Sequence, residues 1–143
     1  MHMVVIVDGG RKSVSSSDAH SRVTKSPHFS GRADRARMRM DRLLPALESS
    51  DWRSAYEICF EEFEDMHELF HTSDPPFRYR TADSDRIVED CADLWATYRD
   101  GPIVTMDAGP NVHLLFRPDQ QALLSKLQER YSRSHPVIAS EAA

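Results

Sequence analysis

Thr105-Met106-Asp107-Ala108-Gly109-Pro110-Asn111 sets an acidic side chain at the edge of a tight turn between two short apolar runs. Ile103-Val104 stands before it, and Val112 with Leu114-Leu115-Phe116 after it. Both runs are rich in β-branched or large apolar residues and read as paired strands. Gly109-Pro110-Asn111 supplies the reversal: Gly tolerates positive φ, Pro fixes φ near about −65°, and Asn accepts the left-handed region. A carboxylate held at a strand end is placed firmly enough to serve as a general base. It can equally do no more than accept turn amide hydrogen bonds. The residues alone leave both readings open.

Downstream of the hairpin, Pro118-Asp119 opens a last helix marked by Leu123, Leu124, Leu127 and Tyr131. Residues from Ser132 on read as a frayed tail, giving a single domain over 1–131 and a flexible tail over 132–143. Upstream, a helix from about Asp83 carries Ile87, Cys91, Leu94 and Tyr98 on one face and stops at Gly101-Pro102. Thr72-Ser73-Asp74-Pro75-Pro76-Phe77 breaks the helix before that one, because a Pro pair cannot continue it. That earlier helix is capped by Ser49-Ser50-Asp51, and its apolar stripe runs Trp52, Tyr56, Cys59, Phe63, Met66, Phe70. Another, from about Gly31, shows Ala36, Met40, Leu43, Leu44 and Leu47 at helical spacing, with Pro45 marking a kink or an end nearby. Val4 to Val7 reads as a strand closed by Asp8-Gly9-Gly10. One strand, several helices, a hairpin and a helix make an α+β fold, with helices packed on a small, mostly antiparallel sheet.

Composition agrees with a globular domain: 143 residues, 40% hydrophobic and 29% charged, enough chain to bury a core without staples. Cys59 and Cys91 each fall within a helical pattern and read as reduced core thiols of a cytoplasmic protein. No apolar run approaches a membrane span. The net charge of −5 argues against general nucleic-acid affinity. That charge is uneven, since Arg11 to Arg42 hold nine Lys/Arg against three Asp/Glu. Such a segment is either a solvated basic helix face or an anion site. Val14-Ser15-Ser16-Ser17-Asp18, at its start, supplies N-cap residue types; a helix start with hydroxyls beside it can also receive phosphate. His67 falls near the edge of the third helix's stripe, where a partly buried, hydrogen-bonded His is the ordinary reading.

Three blocks together carry a resemblance. Thr105 to Val112 closely resembles the C-terminal signature of mevalonate diphosphate decarboxylases, members of the GHMP kinase superfamily. Val14-Ser15-Ser16-Ser17, with Thr24, Ser26 and Phe29 downstream, and Met66-His67, followed by Pro75-Pro76-Phe77 and Tyr79, are similar to two further family blocks in the same order. The resemblance implies a GHMP kinase C-terminal domain-like fold. It implies an ATP-dependent lyase of isoprenoid synthesis that makes isopentenyl diphosphate from mevalonate 5-diphosphate, with Asp107 as the catalytic aspartate. It also implies substrate contacts at Ser15, Ser16 and Ser17, with His67 and Met106 as lining residues and no metal ligand of this chain's own. ATP and Mg2+ are expected mainly on an N-terminal GHMP domain, because the chain has five Gly and no Gly-rich phosphate loop. The implied assembly is a cytoplasmic homodimer joined to that domain, and the chain alone is expected to be inactive. Ala19-His20 stands where the family commonly has Gly-Met, and His113 where Lys is frequent. These departures leave a phosphomevalonate decarboxylase domain as an alternative. The missing phosphate loop leaves another, a non-enzymatic module that binds an anion or dimerises.

Overall fold

In the computed structural model, which describes residues 1–10 and 14–140, the hairpin forms as β2 (Ile103–Met106) and β3 (Val112–Leu115). Two further strands extend it: β1 (His2–Val5) and β4 (Val137–Ser140). The sheet order is β2-β3-β1-β4, every neighbouring pair antiparallel. Five α-helices accompany it among the described residues: α1 (Ser16–Val23), α2 (Arg32–Glu48), α3 (Trp52–His71), α4 (Ala82–Tyr98) and α5 (Gln121–Ser132). The fold is therefore α+β.

The chain divides into two compact units, Met1–Gly9 with Arg80–Ala143 and Gly10–Tyr79. In the first, α4 lies against β3 and α5 against β1 and β4. Its core is the alternate sheet residues Met3, Val5, Val104, Met106, Val112 and Leu114, with Ile87, Cys91, Trp95, Leu124 and Leu127 from the helices. Alternation along a strand sends every second side chain to one face, so a one-sided sheet needs no other code. Burial pushes the Cys91 thiol up to about 12, and both cysteines are free.

Two strand expectations are corrected here. β1 covers His2–Val5 rather than Val4 to Val7, because the Val7 N–H goes to the Asn111 side chain and the Ile6 N–H to the Pro136 carbonyl. The stretch read as a tail forms β4, which pairs with β1 from Val5↔Val137 to His2↔Ser140. The end of that tail, 141–143, lies outside the described residues.

In the second unit α3 is central, contacting both α1 and α2. The caps read from the sequence are in place: Ser15 accepts from the Asp18 N–H, and Asp51 accepts from the Ser54 N–H. α2 runs past Pro45 and ends at Glu48. Its expected apolar stripe is not a core face, since Met40, Leu44 and Leu47 are 52%, 52% and 45% exposed. Arginines take the inner face instead. Arg32 pairs with Glu62, Arg35 with Asp65 (2.9 Å), Arg39 with Glu62 (2.9 Å) and Asp65 (2.7 Å), and Arg42 with Glu61 (3.0 Å). The basic segment is thus an interhelical ion-pair ladder for these four residues; Arg11 and Lys12 lie outside the described residues. Burial opposes ionisation of Asp65, yet the hydrogen bonds from Arg35 and Arg39 outweigh it and hold the carboxyl below its usual range. No helix among the described residues is long and apolar enough to cross a membrane.

Candidate functional site

Asp107 directly follows β2, one residue beyond Met106, which pairs with Val112. Alternation buries Met106 within the sheet core and leaves Asp107 exposed at the corner. The turn is closed by the Gly109 N–H donating to the Asp107 carbonyl at 2.8 Å. Its far limb is held on two sides. The Asn111 side-chain oxygen accepts the Val7 and Asp8 N–H groups at 3.0 and 3.3 Å, and the buried Ser84 hydroxyl donates to the Pro110 carbonyl at 2.6 Å.

The turn differs from its sequence reading in one respect. The described residues with positive φ are Ser50, Arg99 and Gly31, so neither Gly109 nor Asn111 uses the left-handed region. Asn111 works through its side chain rather than its backbone. Ser84, which no local pattern in the sequence ties to this turn, is also part of the helix cap three positions after Thr81. The Thr81 N–H donates to the Ser84 hydroxyl and the Ser84 N–H to the Thr81 hydroxyl, each at 3.2 Å.

Ser15, Ser16 and Ser17 lie in the helical unit, all exposed. Ser15 is the N-cap of α1, and Ser16 and Ser17 begin its first turn. The Tyr79 hydroxyl donates to the Val14 carbonyl at 2.9 Å, fixing the chain as it enters this helix. Asp18 in the same turn accepts from Arg22 at 2.8 Å, so the helix start already carries one charge-paired carboxylate. Arg22 in turn covers the Phe77 ring, 5.6 Å from its centroid. His67, expected at the edge of a stripe, is 0% exposed. Its ring meets Phe63 and Phe70 edge-on, with centroids 6.3 and 5.2 Å away. The stripe that placed it at an edge was read too narrowly, because α3 packs against α1 and α2 and buries residues on more than one side.

The structure therefore groups Asp107 with Met106 in the sheet unit, and the three serines with His67 in the helical unit. A groove on α3, lined by Tyr56, Glu57, Phe60 and Glu61, contains none of them. Among the described residues, no group of three or more His, Cys, Asp or Glu side chains is arranged to hold a metal ion.

Residues 2–141 match the family model described as the mevalonate 5-diphosphate decarboxylase C-terminal domain. The crystal structure of a mevalonate diphosphate decarboxylase from Legionella pneumophila is 40% identical, with a TM-score of 0.90, over 96% of this chain and 44% of that one. The mevalonate pyrophosphate decarboxylase from Streptococcus pyogenes shares the fold at 23% identity and a TM-score of 0.86, over 99% of this chain and 44% of that one. So does MDDEF in complex with MVAPP, AMPPCP and magnesium, at 24% identity and a TM-score of 0.79, over 95% and 42%. The chain thus spans less than half the length of these relatives. No curated protein matches it.

Proposed function

The chain belongs to the mevalonate 5-diphosphate decarboxylase C-terminal domain family, and from that premise we propose that Asp107 is the catalytic carboxylate of an ATP-dependent decarboxylase acting on mevalonate 5-diphosphate. The observation that carries this reading is the exposed Asp107 on a turn tied down by Ser84 and Asn111. A tertiary hydroxyl is a weak nucleophile. A fixed carboxylate within hydrogen-bond reach orients it and takes its proton as the phosphoryl group arrives. ATP supplies that phosphoryl group, and loss of phosphate together with the substrate carboxylate leaves isopentenyl diphosphate. Ser15, Ser16 and Ser17 are, in this reading, hydroxyl and amide donors for the substrate's diphosphate. His67 and Met106 are buried, so in this reading each acts by supporting the residues packed around it in its own unit.

ATP and Mg2+ are left to another part of the protein in this reading: the sequence has only five Gly and no Gly-rich phosphate loop, and among the described residues no three His, Cys, Asp or Glu side chains are grouped to hold a metal ion. We assign both groups to an N-terminal domain, and a cytoplasmic homodimer belongs to the same reading. The test is CO2 release by the full-length protein, comparing the 5-diphosphate with the 5-monophosphate and wild type with Asp107→Asn. Turnover of the diphosphate with a kcat loss of about 10²- to 10⁴-fold in the variant is expected. Preference for the monophosphate moves the assignment to a phosphomevalonate decarboxylase. An indifferent Asp107→Asn overturns the catalytic reading and favours a binding module.

A further inference from the structure

We propose that Ser84 is a positioning residue for Asp107, acting from its buried place in the first turn of α4 through the Pro110 carbonyl; the inference rests on the functional reading above. The turn from Asp107 to Asn111 is an arch with two feet. The near foot is fixed by strand pairing, Met106↔Val112. The far foot is held at Pro110 and Asn111, and the Gly109 N–H to Asp107 carbonyl bond links it back to Asp107. Asn111 grips the chain leaving β1. Ser84 grips the same limb from α4 and is 0% exposed, so no water can replace its O–H at the buried Pro110 carbonyl.

The residue type fits the task. A hydroxyl has one proton to donate and lone pairs to accept, and Ser84 uses both: it donates to Pro110 and accepts from the Thr81 N–H. Glu or Gln, the usual partners in this helix cap, would carry the cap but push the turn away. A short Ser is what lets the helix start and the turn meet at 2.6 Å. Ser84 touches no reacting atom in this scheme; it acts only by fixing where the Asp107 carboxylate sits.

The experiment is a double-mutant cycle on the full-length protein, with Ser84→Ala and Asp107→Asn singly and combined. Ser84→Ala should lower kcat by about 10- to 100-fold, the cost of a small misplacement, with KM nearly unchanged. In the Asp107→Asn background it should cost almost nothing further. Equal losses in both backgrounds, or an unchanged kcat with only a lowered Tm, overturn the positioning role. An Asp107→Asn enzyme with full activity instead defeats the functional reading, and this role with it. Should Ser84→Ala fail to fold, Asn111→Ala tests the same arch from its half-exposed side. A second readout is independent of turnover: exchange of the Gly109 amide should quicken at least about tenfold in Ser84→Ala, and unchanged exchange contradicts the proposal.

Discussion

The sheet unit and the helical unit are built on opposite arrangements of charge and apolar surface. In the sheet unit the apolar face turns inward, and ion pairs such as Arg117 with Asp100 and Asp119 sit at its margin. In the helical unit α2 turns its arginines toward α3 and leaves Met40, Leu44 and Leu47 outward. The difference shows that amphipathic spacing identifies a helix without identifying its inner face. Arg32, Arg35, Arg39 and Arg42 recur at helical spacing just as the apolar residues do. What decides between the two stripes is the partner: Glu61, Glu62 and Asp65 of α3 offer carboxylates in register.

The largest expected stability effect lies in the sheet unit. A Cβ at Gly101 would come within 2.9 Å of the Trp95 indole nitrogen and 3.0 Å of its neighbouring carbon. That indole cannot yield cheaply, since it is buried and its N–H donates to the Pro102 carbonyl at 2.9 Å. Gly101→Ala should therefore cost up to about 3 kcal/mol, read by denaturant unfolding. A neutral outcome would mean that the helix-to-strand corner is looser than the sheet it leads into.

The helical unit should respond instead to acid. Asp65 has its carboxyl held below the usual range by Arg35 and Arg39, so its contribution is fully present above the unfolded pKa of about 3.9 and fades as pH falls through the lower folded value. Protonation leaves Arg35 and Arg39 facing one another. Helical circular dichroism followed from neutral to strongly acidic pH should show this loss, and Asp65→Asn should flatten that limb while costing about 1–2 kcal/mol at neutral pH. An acid limb unaltered by Asp65→Asn would place the sensitivity elsewhere, with Asp100, also held low chiefly by Arg117, as the sheet unit's counterpart.

Features with local causes were legible in the sequence. The hairpin, the caps at Ser15 and Asp51, the Pro75-Pro76 break and the Gly101-Pro102 stop each follow from residues a few positions apart. Features with distant causes were not. β4 is four residues long, and its partner β1 lies at the other end of the chain, so nothing near Val137 marks it as a strand. Asp107 stands out through the turn around it, whereas Ser84 is separated from Pro110 by 26 positions and nothing in the sequence links the two.

Tyr79→Phe carries the comparison to the entrance of α1. The hydroxyl is the only part of Tyr79 that the change removes, and its bond to the Val14 carbonyl is buried. The ring contacts with Phe70 and Phe77 remain. A loss of about 1 kcal/mol is expected, measured by thermal denaturation, together with a higher KM and unchanged kcat in the full-length protein if the serines meet substrate. A change in kcat instead would detach Tyr79 from the binding role given to Ser15, Ser16 and Ser17.

The smallest effect is the sharpest test of the inverted helix. By spacing, Leu44 belongs to an apolar stripe and should behave as core, where truncation or a polar swap costs several times thermal energy. By position it is half open to solvent, and its neighbours along the stripe, Met40 and Leu47, are similarly exposed. Leu44→Gln keeps a helix-forming side chain of similar length and adds no charge to the ladder on the other face. The expected change is within about 0.5 kcal/mol. A loss above about 2 kcal/mol would mean that this stripe is covered in the protein as measured, and comparing dilute with concentrated samples would then tell whether another copy covers it, since only a cover by association depends on concentration.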